Sequence, residues 1–142
     1  MSELIRGKST GETIENYLPR YVGEIANDEI GIGLCSIVGE GRDEFGLDGP
    51  ALMNYVRRAL VVIASSGATP EDASLVTSEN PQGLAHFGTD TPEEIADGVV
   101  AAWVAKGMPD PEWGDWRFNT AENRATLDEF SGRDFYGSPT KG

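Results

Sequence analysis

Apolar residues recur at steps of three and four along most of the chain, the spacing that lines one face of a helix. The first run begins at Thr10 and contains Pro19, which removes a backbone donor and disfavours helix at Leu18, so we expect a kink or a break there. Residues 30–38 fit two patterns. Their alternation favours a strand, whereas the longer apolar spacing to Phe45 favours a helix, which we prefer although three glycines weaken it.

Two later helices are marked by the residues at their ends. Asp48 is a good N-terminal cap for a helix with a continuous apolar stripe, and Gly67 suits the C-terminal end of that helix. Thr91 and Glu94 have the spacing of a capping box, which predicts the start of another helix. Gly98 would allow this helix a close contact with a neighbouring helix.

Short segments between and after these helices predict strands. Residues 74–77 and 84–87 are short enough to be strands, and residues 80–83 form a turn between them. Residues 116–118 alternate like a further short strand, and a last helix would follow to about Phe130. The chain therefore predicts a mostly helical α+β fold, with helices arranged around a small β-hairpin.

The length of 142 residues favours one domain. We assign residues 1–11 to a flexible N-terminus, residues 12–130 to a single globular domain and residues 131–142 to a C-terminal tail. No apolar run approaches the ~20 residues of a membrane span. Because no secretory signal pattern stands at the start of the sequence, we expect a cytoplasmic protein.

The charge balance limits the possible partners. The 24 acidic residues outnumber the 11 Lys and Arg, which gives a net charge of −13 and disfavours both nucleic acid and anionic membranes. Between Arg58 and Lys106 there is no basic residue at all. A basic protein partner is favoured, because opposite fields speed encounter and help to set specificity. The same acidity also fits a role in solubility alone.

Motifs for catalysis and cofactors are incomplete. Cys35 and His86 could in principle form a dyad, but Cys35 stands among apolar residues and is expected to be a small buried hydrophobe. Residues 31–33 are only a fragment of a dinucleotide-binding glycine motif, and residues 7–9 lack the upstream glycine of a phosphate loop. We therefore predict no catalytic residue, no cofactor and no enzyme activity.

Acidic clusters are weighed as metal sites and as interaction sites. Asp43 and Glu44 with Asp48, or the acids between residues 110 and 115, could gather oxygen ligands, but neither group has the spacing of an EF-hand loop. We predict no metal site. Tryptophan beside acids suits a basic partner, whereas Trp116 and Phe118 are expected to belong to the core. The predicted partner-binding residues are Asp90, Glu93, Asp97, Asp110, Glu112, Trp113 and Asp115.

Two parts of the sequence carry a resemblance to known proteins. The helix that ends at Phe45, the capped helix after Asp48 and the following Gly67 resemble the helix-turn-helix half of winged-helix-like small bacterial proteins. A later run resembles an uncharacterised family of short acidic bacterial proteins, some of them immunity-type proteins of polymorphic toxin systems. That run comprises Glu94, Ile95, Ala96, Val99, Val100, Trp103, Gly107, Pro111, Gly114, Trp116 and Phe118. The resemblance implies a winged-helix-like centre and brings no catalytic residues.

Three functions follow as hypotheses. The leading one is a non-enzymatic, acidic immunity or inhibitor protein that neutralises a basic partner such as a toxin nuclease. The second is a small-molecule-binding protein or an enzyme with a carboxylate-lined pocket that holds His86. The third is a winged-helix regulator, for which only Arg57 and Arg58 offer a basic recognition helix.

Overall fold

The structure, a computed structural model, describes residues 5–27, 31–112 and 115–120. The predicted α+β, mostly helical class is confirmed. In chain order the elements are α1 (Ile14–Tyr17), α2 (Arg20–Asn27), β1 (Ile32–Gly33), α3 (Leu34–Asp43), α4 (Gly49–Ser65), β2 (Thr69–Glu71), a short 3-10 helix (Ala73–Leu75), α5 (Pro92–Ala105) and β3 (Arg117–Asn119).

The helix ends agree with the sequence signals. The first helical run breaks between Tyr17 and Arg20, as the proline between them predicts. Asp48 caps α4 through a hydrogen bond from the Gly49 amide. Thr91 caps α5 in a complete capping box.

The ambiguous segment contains both predicted structures. Ile32 and Gly33 form β1, and α3 begins directly at Leu34. Gly31 precedes the strand with a φ of +80°, and a Cβ there would collide with the backbone oxygen of Phe118. A glycine is therefore required at position 31, where the backbone passes close to β3.

The three strands form one antiparallel sheet in the order β1-β3-β2. Phe118 in the central strand pairs with Ile32 on one side and with Pro70 on the other. Along the chain α3 and α4 lie between β1 and β2, and in the sheet β3 lies between these two outer strands. The connection between β2 and β3 contains α5, and the winged-helix-like centre stays a prediction.

The predicted hairpin of residues 74–77 and 84–87 is wrong. The first segment starts in the 3-10 helix, and the second contributes only a single bridge, between Leu84 and Glu71. The physical reason is the Asn80 side chain, which donates to the Leu84 carbonyl at 2.9 Å and accepts from the Leu84 amide at 3.0 Å. These local bonds use the backbone groups that a hairpin ladder would need.

The core lies between α4 and the elements packed on it. Trp116 and Phe118 are buried, as expected. Gly98 on α5 does make a close contact, but with the ring of Phe87 in a loop rather than with a helix.

Among the helices in the described ranges, none is both long and apolar enough to cross a membrane.

The predicted domain boundaries stay predictions. Residues 7–11 of the expected flexible start are hydrogen-bonded to each other and to the end of α3. The expected last helix to Phe130 and the tail of residues 131–142 lie outside the described residues.

Candidate functional site

Three of the predicted partner-binding acids lie at the start of α5. Asp97 forms an ion pair with Arg57, whose Nε donates to it at 2.6 Å. Asp90 accepts from the Phe87 amide at 2.8 Å and lies 2.9 Å from the His86 ring, and these contacts lower its pKa. Glu93 is exposed in the first turn of α5. Two of the three carboxylates are therefore already engaged within the chain.

The remaining predicted acids follow the end of α5. Asp110 pairs with Arg42 of α3, which also donates to the Met108 carbonyl at 2.8 Å. Asp115 accepts from the Glu112 amide at 3.1 Å. Trp113 lies outside the described residues.

The predicted acids lie in and around α5. Asp90 precedes α5, Glu93 and Asp97 lie within it, and the acids of the second group follow it. The chain after α5 turns back, because the Trp103 indole donates to the Pro109 carbonyl at 2.8 Å and the rings of Phe87 and Trp116 lie 5.9 Å apart. The sequence signal was acid composition over a long stretch, and composition does not show on which side of a helix each acid lies.

A groove along α3 brings other acids together. Its volume is about 430 Å³, a size typical of ligand sites. We call it the α3 groove, and it is lined by Ser9, Tyr17, Cys35, Ser36, Gly39, Glu40, Asp43 and Glu44.

The helical period of α3 explains this lining. Pairs of residues at 35–36, 39–40 and 43–44 recur every four positions and lie on the partly exposed side, whereas Leu34 and Ile37 face the core. This signal was in the sequence, but it could be read only after the segment was known to be helical. Asp43 and Glu44, weighed above with Asp48, instead share the groove with Glu40.

A chain of buried hydroxyl groups ends at Glu40. Tyr21 donates to Glu40 Oε1 at 2.5 Å, and its oxygen lies 2.6 Å from the hydroxyl of Tyr55. Because the Tyr21 proton is used on Glu40, Tyr55 must donate to Tyr21. Burial, and then the nearby Tyr55 and Glu40, raises the pKa of Tyr21, so it remains a neutral donor that fixes the Glu40 carboxylate.

Cys35 and His86 have different surroundings. Cys35 is only partly buried and lines the α3 groove, because its position on α3 lies one residue beyond the core-facing Leu34. The expected buried hydrophobe is therefore a groove residue. His86 is exposed beside Asp90 and is not among the groove residues.

A second groove runs beside α4. It has a volume of about 360 Å³ and is mostly apolar, with Leu18, Val61 and Val62 in its walls. The two arginines of the predicted recognition helix also line it, and each donates to a carboxylate: Arg57 to Asp97 and Arg58 to Glu15.

No group of three or more His, Cys, Asp or Glu within the described ranges is arranged to hold a metal ion. Comparisons with models of protein families, with curated proteins and with solved structures give no match.

Proposed function

We propose that this protein is a non-enzymatic binding protein that neutralises a basic partner, such as a toxin nuclease domain, as an immunity or inhibitor protein in the cytoplasm. The observation that carries the proposal is the net charge of −13 together with the pairing of the arginines. The arginine pairs are Arg20–Glu12, Arg42–Asp110, Arg57–Asp97 and Arg58–Glu15. Each of these four pairs uses one charge of either sign and leaves the net charge unchanged, so the surplus carboxylates set the field that a partner meets.

The α3 groove is the proposed centre of the interface. Glu40 and Asp43 line it, and Glu40 is held in a fixed direction by Tyr21. Arg42, next to Asp43 on α3, joins Asp110 to the same part of the molecule. A lysine or arginine of the partner would enter the groove, while the acids after α5 would extend the contact. Binding would then block the basic surface of the partner sterically and electrostatically.

The experiment is affinity capture from extracts of the source organism, followed by identification and by salt titration with the purified partner. A Glu40→Gln/Asp43→Asn variant should lose on the order of tenfold in affinity, because charged contacts at an interface are worth about that much. The matched control, Asp48→Asn/Glu79→Gln, removes the same charge at exposed positions outside the groove, keeps a capping side chain on α4 and should bind nearly as tightly as the parent chain.

Three results would count against the proposal. A partner that is not basic would contradict the charge argument. Affinity that does not change with salt would contradict the electrostatic mechanism. An equal loss in the control variant would remove the α3 groove from the interface.

A small-molecule-binding protein, or an enzyme with a carboxylate-lined pocket, is the second candidate. The α3 groove favours it, because carboxylates, a thiol and a tyrosine line one concavity. An alkylamine or guanidinium probe should then shift the NMR signals of α3 selectively. Shifts spread evenly over the whole surface would contradict it.

The contacts of Arg57 and Arg58 disfavour the winged-helix regulator. Both arginines of its recognition helix are paired with acids.

A further inference from the structure

Residues 7–11, which we call the strap, are held to the end of α3 by one carboxylate. Glu44 accepts hydrogen bonds from both the amide and the hydroxyl of Ser9, at 3.0 and 2.6 Å. It also accepts from the amide and the hydroxyl of Thr10, at 2.9 and 3.0 Å. The Glu44 carbonyl accepts from the Lys8 amide at 2.8 Å. In the part of the chain that the structure describes, every hydrogen bond from the strap to residues beyond α1 ends on Glu44.

The strap is otherwise closed on itself. The Gly7 amide donates to the Glu12 carbonyl at 2.8 Å, and the Gly11 amide donates to the Gly7 carbonyl at 2.9 Å. A Cβ at Gly7 would collide with the carboxylate of Glu44 and would lie 2.6 Å from Thr10 Oγ1, so an added methyl group would displace the Glu44 carboxylate from the strap. The strap can therefore keep its own turn while its attachment to α3 is made or broken.

Little else resists such a movement. Lys8, Ser9 and Thr10 are exposed, and the strap has no apolar side chain that could anchor it in the core. Segments with few apolar contacts and exposed hydrogen bonds open locally at low free-energy cost, without unfolding of the whole domain. Ser9 is also one of the residues that line the α3 groove, together with Cys35.

We propose that the strap is a movable wall of the α3 groove and that Glu44 holds it closed. When the strap leaves Glu44, the groove widens, Cys35 becomes more accessible and the Glu44 carboxylate is released into the groove. This proposal does not depend on the nature of the partner.

Cys35 is the reporter for the test, because the chain has only this cysteine. The measurement is its rate of alkylation by a neutral maleimide under native conditions, over a series of pH values that corrects for thiolate fraction. Two variants weaken the attachment from opposite sides. Glu44→Gln removes the charge that accepts the hydrogen bonds, and Gly7→Ala introduces the collision. Asp43→Asn is the matched control, since it removes the same charge from the adjacent groove residue and leaves the strap attached.

We expect both strap variants to react roughly fivefold faster or more than the parent chain, because the net value of a hydrogen bond shifts a local equilibrium by about that factor. The control should react within about twofold of the parent chain. Labelling rates that stay constant at low urea indicate local opening, whereas rates that rise with urea from the start indicate global unfolding. Parent-like rates in both variants, an equal increase in Asp43→Asn, or urea-dependent labelling throughout would each overturn the proposal.

Discussion

Glu44 shows how one side chain organises its surroundings. Hydrogen bonds from Ser9, and then from Thr10, hold its pKa at about 2, against an ordinary value of 4.5. Since these bonds favour the ionised form, the stabilisation is present above the ordinary pKa and is lost as the pH falls through the lowered value. The strap should therefore remain attached through the neutral and mildly acidic range.

A pH titration by NMR checks this prediction. The amide signals of Ser9 and Thr10 should shift with a midpoint near pH 2, because protonation of Glu44 removes their acceptor. In Glu44→Gln the same signals should show no such transition. A midpoint near the ordinary glutamate pKa in the parent chain would show that the hydrogen bonds do not persist in solution.

Two glycines in α3 offer a matched pair at the same scale. A Cβ at Gly39 would meet nothing within 4 Å, whereas one at Gly41 would lie 2.7 Å from Leu52 and 2.9 Å from Tyr55. Gly39→Ala should raise the free energy of unfolding by about 0.5–1 kcal/mol through helix propensity. Gly41→Ala should lower it by about 1–3 kcal/mol, because the added methyl group overpacks two buried side chains. Urea unfolding of both variants measures the difference, and equal effects would contradict the packing of α3 on α4.

At the scale of elements, a feature could be predicted from the sequence when the residues that form it lie close together along the chain. The caps of α4 and α5 were predictable, because a cap hydrogen bond joins residues close in sequence. The sheet was not, because β3 pairs with two strands far away along the chain. The segment around Asn80 had the composition of a turn, but its side chain bonds replaced the expected ladder.

The tyrosine chain joins three helices and can be tested as a unit. Tyr21 on α2 contacts Tyr55 on α4 and Glu40 on α3. Tyr21→Phe should lower the free energy of unfolding by about 1–3 kcal/mol, because it leaves both neighbours without their partner. Tyr55→Phe should cost less, about 0.5–1.5 kcal/mol, since Tyr21 can still donate to Glu40.

Urea unfolding of the two single variants and the double variant gives the coupling between the tyrosines. The double variant should be less destabilised than the sum of the single variants. A larger loss for Tyr55→Phe than for Tyr21→Phe would reverse the donor order inferred for the chain.

For the molecule as a whole, the sequence indicated how much charge there is but not which charges are free to act. Asp97 and Asp110 were predicted as interface residues, yet both are paired with arginines. Glu40 was not selected, because its role depends on the helical phase of α3 and on the buried Tyr21. The candidate groove therefore follows from the packing of α3, which composition alone does not contain.

The net charge makes a prediction about stability in salt. Two effects of added NaCl oppose each other: it screens the repulsion among the surplus carboxylates, and it weakens exposed ion pairs such as Arg57–Asp97. Exposed pairs are each worth only about 0–1 kcal/mol, so screening of a net charge of −13 should dominate. The urea midpoint should rise as NaCl increases from about 0.01 to 0.5 M.

Variants that change the net charge test this explanation. Glu79→Gln/Glu93→Gln should raise the urea midpoint at low salt and reduce the gain from NaCl. Lys106→Gln should lower the midpoint at low salt and increase that gain. A midpoint that falls with salt would contradict this prediction, because it would mean that weakening of the internal ion pairs outweighs the screened repulsion among the surplus carboxylates.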